Sequence, residues 1–222
     1  MSTPQHSLPI ARPRQLVGLL GGTFDPIHFG HIRPALAAAA VLGLEQIWLM
    51  PNAIPPHKNG AITATEHRMA MAKQVCHEFP LFKLCDLEVA LAASGKPSYS
   101  VNTLTELNRR YPNLNFVFLM GMDSLITLPQ WHQWQTLLTL CNFAVCRRPG
   151  WPLPECLPDT ICQRITDHLS PDKHGQIVLL NVDEQAISST DIRTMLRSGN
   201  FPENLMPKAV NHYIRSHGLY LG

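Results

Sequence analysis

Two histidines, His28 and His31, stand either side of Gly30 in the segment Gly21-Gly22-Thr23-Phe24-Asp25-Pro26-Ile27-His28-Phe29-Gly30-His31. Each imidazole carries at least one N–H donor, so two of them at this spacing can grip a polyphosphate. The paired glycines ahead of them let the backbone turn tightly and come close to such a ligand. Pro34 lies just beyond. Proline is tolerated in a helix only within the first turn, which predicts a helix opening near residues 30–32. His28 and His31 then fall at or just before a helix N-terminus, where free N–H groups and a partial positive charge favour an anion. The spacing is neither G-x-x-x-x-G-K-[ST] nor G-x-G-x-x-G. One histidine here would read as an incidental turn residue; both motifs fused at one junction read as a phosphate site. Zinc is the rival ligand, but spacing identifies no third ligand, and no protein metal ligand is assigned.

A second segment of similar chemistry is Ile187-Ser188-Ser189-Thr190-Asp191-Ile192-Arg193. Consecutive hydroxyl residues at a helix start are ordinarily caps, and Arg193 would ordinarily be a solvated helix residue. A capped N-terminus with an arginine one turn inside is also a second anion site.

These segments need a scaffold, and the apolar pattern describes one. Short apolar runs at 15–20, 46–50, 115–120, 142–146 and 176–181 do not alternate with polar residues, as strands buried on both faces would not. Between them, Ile32, Ala35, Leu36, Ala39 and Leu42 recur at helical spacing, with Gly43 as the stop. Further helices are predicted at 65–78, 101–110, 131–140, 159–169, 190–197 and 208–216. Strands alternating with helices predict an α/β fold, a Rossmann-like parallel sheet flanked by helices. The proline-rich stretches 52–64 and 149–158 read as loops over the sheet. Residues 1–14 read as a tail and 15–222 as a single domain.

Composition narrows the partners. Of 222 residues, 45% are hydrophobic and 15% charged, with a net charge of +2. So even a balance argues against a nucleic-acid binder working through a basic surface, and any phosphate chemistry must be local. No run approaches the roughly 18 apolar residues of a membrane span, and the first residues lack the apolar core of a signal peptide. The six cysteines form no C-x-x-C pair, which points to reduced thiols and a cytoplasmic protein.

Taken together, the string GGTFDPIHFGH resembles the signature of the nucleotidyltransferase superfamily, with its H-x-G-H motif after the first strand. The string ISSTDIR is similar to the superfamily's I-S-S-T-x-I-R motif. Class I tRNA synthetases share the histidine motif, but a K-M-S-K-S counterpart is missing here. Further segments resemble the bacterial nicotinate mononucleotide adenylyltransferases: Pro55-Pro56-His57-Lys58, Pro97-Ser98-Tyr99-Ser100, Gly121-Met122-Asp123-Ser124, Leu128-Pro129-Gln130-Trp131 and Cys146-Arg147-Arg148-Pro149-Gly150. Ser100 stands where that family often has threonine, and the hydroxyl is kept. The resemblance runs from Leu16 to the C-terminus; the N-terminal tail has no counterpart in it.

The resemblance implies a fold of the nucleotidyltransferase type and adenylyl transfer from ATP to nicotinate mononucleotide. Magnesium would be carried mainly by the ATP phosphates. His28 and His31 would be the catalytic pair, His31 toward the α-phosphate and His28 toward the others. Gly21, Gly22, Thr23, Phe24, Gly30, Arg147, Ser188, Ser189, Thr190 and Arg193 would serve ATP. His57, Lys58, Tyr99, Ser100, Asp123, Trp131 and His132 would serve the mononucleotide. On chemistry alone, Trp131 can stack on a pyridine ring, Asp123 can accept from ribose hydroxyls, and Ser100 can donate to a nicotinate carboxylate. Each also has a plainer role, as core tryptophan, turn residue or cap. Other acceptors (nicotinamide mononucleotide or phosphopantetheine) and a non-catalytic nucleotide-binding module are the competing readings. The oligomeric state is not legible.

Overall fold

The computed structural model describes residues 14–53, 62–94, 99–147, 153–155, 157–182 and 187–221. Six strands form one sheet: β1 (Gln15–Gly22), β2 (Ile47–Pro51), β3 (Phe82–Leu84), β4 (Leu114–Gly121), β5 (Asn142–Arg147) and β6 (Ile177–Asn181). All neighbours pair in parallel, in the order β3-β2-β1-β4-β5-β6. The chain thus steps outward from β1 to one edge, returns, and steps out from β4 to the other. That reversal opens a crevice beyond the carboxyl ends of β1 and β4, where open α/β sheets bind ligands.

Helices cover both faces, which is why the strands read as unbroken apolar runs. Alternate side chains of each strand serve opposite layers. Val117 and Leu119 pack with α1 (Phe29–Leu42), α2 (Thr65–Glu78), α8 (Ser189–Arg197) and α9 (Lys208–Ser216). Phe116, Phe118 and Met120 pack instead with α3 (Leu87–Ala93), α4 (Ser100–Arg110), α5 (Met122–Thr127) and α6 (Trp134–Leu140). Among the described residues no helix is long and apolar enough to cross a membrane.

The helices predicted at 65–78 and 208–216 match α2 and α9 residue for residue, those at 101–110 and 190–197 start one residue early as α4 and α8, and two others differ by more. Helix 131–140 is broken: a 3₁₀ turn occupies Leu128–Gln130, and α6 starts only at Trp134 because Gln133 sits in the left-handed region at φ 51°. The segment predicted as helix 159–169 is helical only over α7, Asp159–Cys162. Beyond it, Ile165 pairs with Ile177 of β6 and the Thr166 N–H donates to the Ile177 carbonyl, so the backbone turns from helix to sheet edge. Helix α1 begins earlier than predicted, at Phe29, leaving Pro34 inside it. Strand β3 and helices α3 and α5, of three, seven and six residues, are too short for periodicity to reveal.

Candidate active site

β1 ends in Gly21-Gly22, and the chain crosses Thr23–Ile27 before α1 begins. His28 is the N-cap of α1, at φ −149°; its Nδ1 accepts the Gly30 N–H at 3.0 Å. The His31 Nδ1 reaches back to accept the His28 N–H at 3.3 Å. Serine or threonine with glutamate usually makes such a reciprocal box; here two imidazoles make it. Because each Nδ1 accepts, hydrogen-bond assignment puts the ring proton of both on Nε2. Their ring centroids are 3.8 Å apart.

His28 is 3% exposed, and burial pulls its pKa from 6.5 down to about 4. It is therefore a neutral donor near pH 7. The unfolded chain takes up this proton near pH 6.5, and the folded one only near 4. Stability is thus expected to fall as pH drops through that window, by up to about 3 kcal/mol from this group. Denaturant melts from pH 7 to pH 4 check this: His28→Asn, which keeps a cap acceptor, should flatten the decline.

The crevice at the sheet's switch point is a cavity of about 760 Å³. Gly21, Gly22, Gly30 and His31 line one part of it, and Tyr99, Ser100, Asp123, Trp131 and His132 another. Trp131 meets Phe118 edge to face at 5.8 Å, and His132 stacks on Tyr99 at 4.3 Å. Asp123 lies in the first turn of α5, with its carboxylate over Gly121. Nine of the residues singled out from the sequence therefore share one cavity.

Others lie behind or beside it. His28 is buried next to His31 and does not line the cavity. Phe24, 1% exposed, turns into the core, its ring edge-on to His31 at 5.3 Å. The Thr23 carbonyl accepts from Arg68. At the end of β5, Arg147 donates to the Asn181 side chain at 3.1 Å. Ser188 caps α8 by accepting the Asp191 N–H. His57 and Lys58, with residues 1–13, 55–56, 97–98 and 148–150, lie outside the described residues.

The second motif is locked onto the first. The Ser189 hydroxyl donates to the Pro26 carbonyl at 3.1 Å, and the Arg193 Nη1 donates to the Asp25 carbonyl at 2.7 Å. Arg193 Nη2 also reaches the Thr190 hydroxyl. A Cβ on Gly30 would come within 2.9 Å of the Ile187 carbonyl and 2.8 Å of the His28 ring. Only glycine lets the two motifs approach this closely.

Two residues outside the set of site residues expected from the sequence, Arg68 and Asp25, brace this junction. Arg68, 1% exposed, spends all five of its N–H donors on Thr63, Thr23, Asn52, Ala53 and Thr65. Burial pulls its pKa below the ordinary value, opposed chiefly by the Asp25 carboxylate. Asp25, 4% exposed, accepts from the Tyr220 hydroxyl. Glu88, 4% exposed, lines the cavity. A buried arginine on a helix leaves no mark in the apolar periodicity. Among the described residues, no three His, Cys, Asp or Glu side chains converge to hold a metal ion.

Residues 19–195 match the family model described as cytidylyltransferase-like. A protein of Shewanella pealeana is 46% identical over 212 residues, covering 93% of this chain and 96% of its own. One of Shewanella frigidimarina is 47% identical over 211 residues, covering 92% and 99%. Both carry the name "Probable nicotinate-nucleotide adenylyltransferase". Among solved structures, the nicotinic acid mononucleotide adenylyltransferase of Plasmodium falciparum in complex with NaAD superposes with a TM-score of 0.69. It does so at 19% identity, over 93% of this chain and 97% of that one. The same enzyme in complex with APC gives 0.67. Two interlocked motifs at the switch point of a 3-2-1-4-5-6 sheet, a family model matched over residues 19–195, and relatives 46–47% identical over more than nine-tenths of both chains lead to one conclusion: the chain belongs to the cytidylyltransferase-like family and, within it, to the nicotinate-nucleotide adenylyltransferases.

Proposed function

We propose that the cavity between Gly21 and Trp131 carries adenylyl transfer from ATP to nicotinate mononucleotide, giving nicotinate adenine dinucleotide and pyrophosphate. The observation that carries this reading is the shared cavity, with an imidazole donor in one part and an indole, a hydroxyl and a carboxylate in another. A phosphate oxygen of the mononucleotide attacks the α-phosphorus of ATP, and pyrophosphate leaves in line. That oxygen is already a nucleophile at neutral pH, so neither a general base nor a covalent intermediate is required. Catalysis then rests on holding the reactants and on donors aimed at the charge of the transition state.

In this reading, the Nε2–H of His31 meets the α-phosphate. His28, buried behind His31, fixes the orientation of that ring rather than meeting phosphate itself, and Arg193 with the start of α8 holds the β and γ groups. Gly21, Gly22 and Gly30 give ATP its close backbone approach, Thr23 and Phe24 shape the turn, and Arg147 stands on the adenine side. Trp131 stacks on the pyridine ring, Ser100 and Tyr99 face its carboxylate, and Asp123 takes the ribose. His132 walls the pyridine side, and His57 and Lys58 reach the mononucleotide phosphate. Magnesium arrives with ATP, held by phosphates and water rather than by protein side chains. The five described cysteines are free, in keeping with a reducing, cytoplasmic setting.

Presented with ATP and either the acid or the amide mononucleotide, the enzyme is expected to release pyrophosphate with the acid at much higher kcat/KM. Donors that match a carboxylate are left half-satisfied by an amide. Preference for the amide would overturn the acceptor assignment; pyrophosphate with neither would overturn the reaction. Trp131→Ala is expected to raise KM for the mononucleotide about tenfold while moving KM for ATP little, since aromatic stacking adds about 0.5–1.5 kcal/mol beyond burial. Steady-state kinetics with each substrate varied in turn checks this, and equal changes in both would count against stacking.

A further inference from the structure

The chain folds back on itself after α9 in an unfavourable way. Gly218 takes φ 59°, and Tyr220, which has a Cβ, takes φ 63°. A non-glycine residue stays in the left-handed region only where its surroundings hold it there. What holds Tyr220 is plain: its ring packs against the α1/α2/α8/α9 side of the core, and its hydroxyl donates to Asp25 Oδ1 at 2.7 Å, 195 positions away in sequence. The other carboxylate oxygen of Asp25 accepts the Thr63 N–H at 3.4 Å. The carbonyl of the same residue accepts from Arg193 Nη1 at 2.7 Å. Burial pushes the Tyr220 phenol above its ordinary value, so it stays an O–H donor at physiological pH.

We propose that Tyr220 is a positioning residue for the ATP phosphates: its hydroxyl fixes the Asp25 carboxylate, and through it the Asp25 carbonyl on which Arg193 is aligned. The inference rests on the reading that Arg193 faces the ATP phosphates. Three observations independent of that reading carry it. The backbone at Tyr220 is strained, the hydroxyl is committed to a carboxylate 4% exposed, and that carboxylate belongs to the residue whose carbonyl orients the arginine. Asp25 also lies three positions before His28, within the turn that sets the start of α1. A loosened Asp25 would release Arg193 on one side and the cap on the other. Tyr220 touches neither substrate in this account; it acts through Asp25, with the Thr63 side chain as the second neighbour of its hydroxyl.

Tyr220→Phe keeps the ring and removes the hydroxyl. It is expected to raise the Kd for a non-hydrolysable ATP analogue, by calorimetry, and KM for ATP about three- to tenfold, the effect of one ordinary hydrogen bond, because the loss reaches the phosphates only through Asp25. KM for nicotinate mononucleotide should stay within about twofold, because that site lies across the cavity. Tyr213→Phe is the matched control: Tyr213 on α9 bonds His67 at 3.0 Å, away from Asp25, and its loss should leave both substrates unaffected. In an Asp25→Asn background, Tyr220→Phe should add little, since the two act in series. The proposal is overturned if Tyr220→Phe leaves ATP-analogue affinity unchanged, if it weakens both substrates alike, if Tyr213→Phe does the same, or if its effect persists in full without the Asp25 carboxylate. A wild-type enzyme that binds the analogue but forms no pyrophosphate would instead overturn the function proposed above, with the calorimetry still deciding on Tyr220.

Discussion

Replacing His31 by alanine is expected to lower kcat by about two to three orders of magnitude while leaving mononucleotide affinity almost unchanged. His31 is the imidazole that lines the cavity, and its Nδ1 is occupied by the His28 N–H, so its remaining N–H is fixed in direction before substrate arrives. A donor fixed in this way stabilises charge that grows in the transition state without reorganising, and removing one typically costs about 2.7–4 kcal/mol of barrier. The substitution also breaks the capping box, at a stability cost of roughly 1 kcal/mol. Rate and stability therefore report different functions of one ring. Single-turnover rates at saturating substrate, taken with melts of the same protein, separate them. A variant that melts early yet turns over at nearly the native rate would remove His31 from the chemistry and leave it a cap.

The second large effect is expected at Arg68, which does not itself line the cavity. Its five donors serve four backbone carbonyls and one hydroxyl drawn from three stretches of chain: Thr23, Asn52–Ala53, and Thr63 with Thr65. Arg68→Ala strands those acceptors and removes a cation whose charge acts on the Asp25 carboxylate, itself 4% exposed. Deleting one partner of a buried charged network costs about 3–5 kcal/mol, which for a chain of this size lowers Tm by roughly 6–20 °C. Because the arginine ties the turn after β1 to the segment after β2, kcat/KM should fall for both substrates, unlike in Tyr220→Phe. Arg68→Lys should rescue little, since an ammonium has three donors and no planar fork. Calorimetric melts, with kinetics well below the melting point, test both halves. Near-native stability in Arg68→Ala would mean that water replaces the guanidinium.

Much of this was legible before any coordinates. β1, β2, β4, β5 and β6 stood out because helices cover both faces, and a strand buried on both sides has no polar residues to interrupt it. Gly21, Gly22, Gly30 and His31 stood out because their types are costly unless a turn or a ligand requires them. The less legible parts share a physical cause, which is dependence on distant partners. Nothing local marks Arg68 or Tyr220, and Asp25, though inside the first motif, shows its bracing role only through partners up to 195 positions away. The end of α7 is set by a bridge to β6 rather than by any breaker in its own sequence. The place of His28 at the start of α1 was legible from Pro34, but its burial was not, because that follows from packing against His31.

The interlock between the motifs also bears on how the enzyme is born. Ser189 meets Pro26 across 163 positions and Arg193 meets Asp25 across 168, so the junction of the two motifs is among the most non-local features of the described residues. Such contacts carry the full entropy of loop closure and form late on the way to the native state. A refolding chain should regain its helices and the β1–β2 pairing well before it can hold a nucleotide, and recovery of nucleotide binding would mark the final closure of the fold.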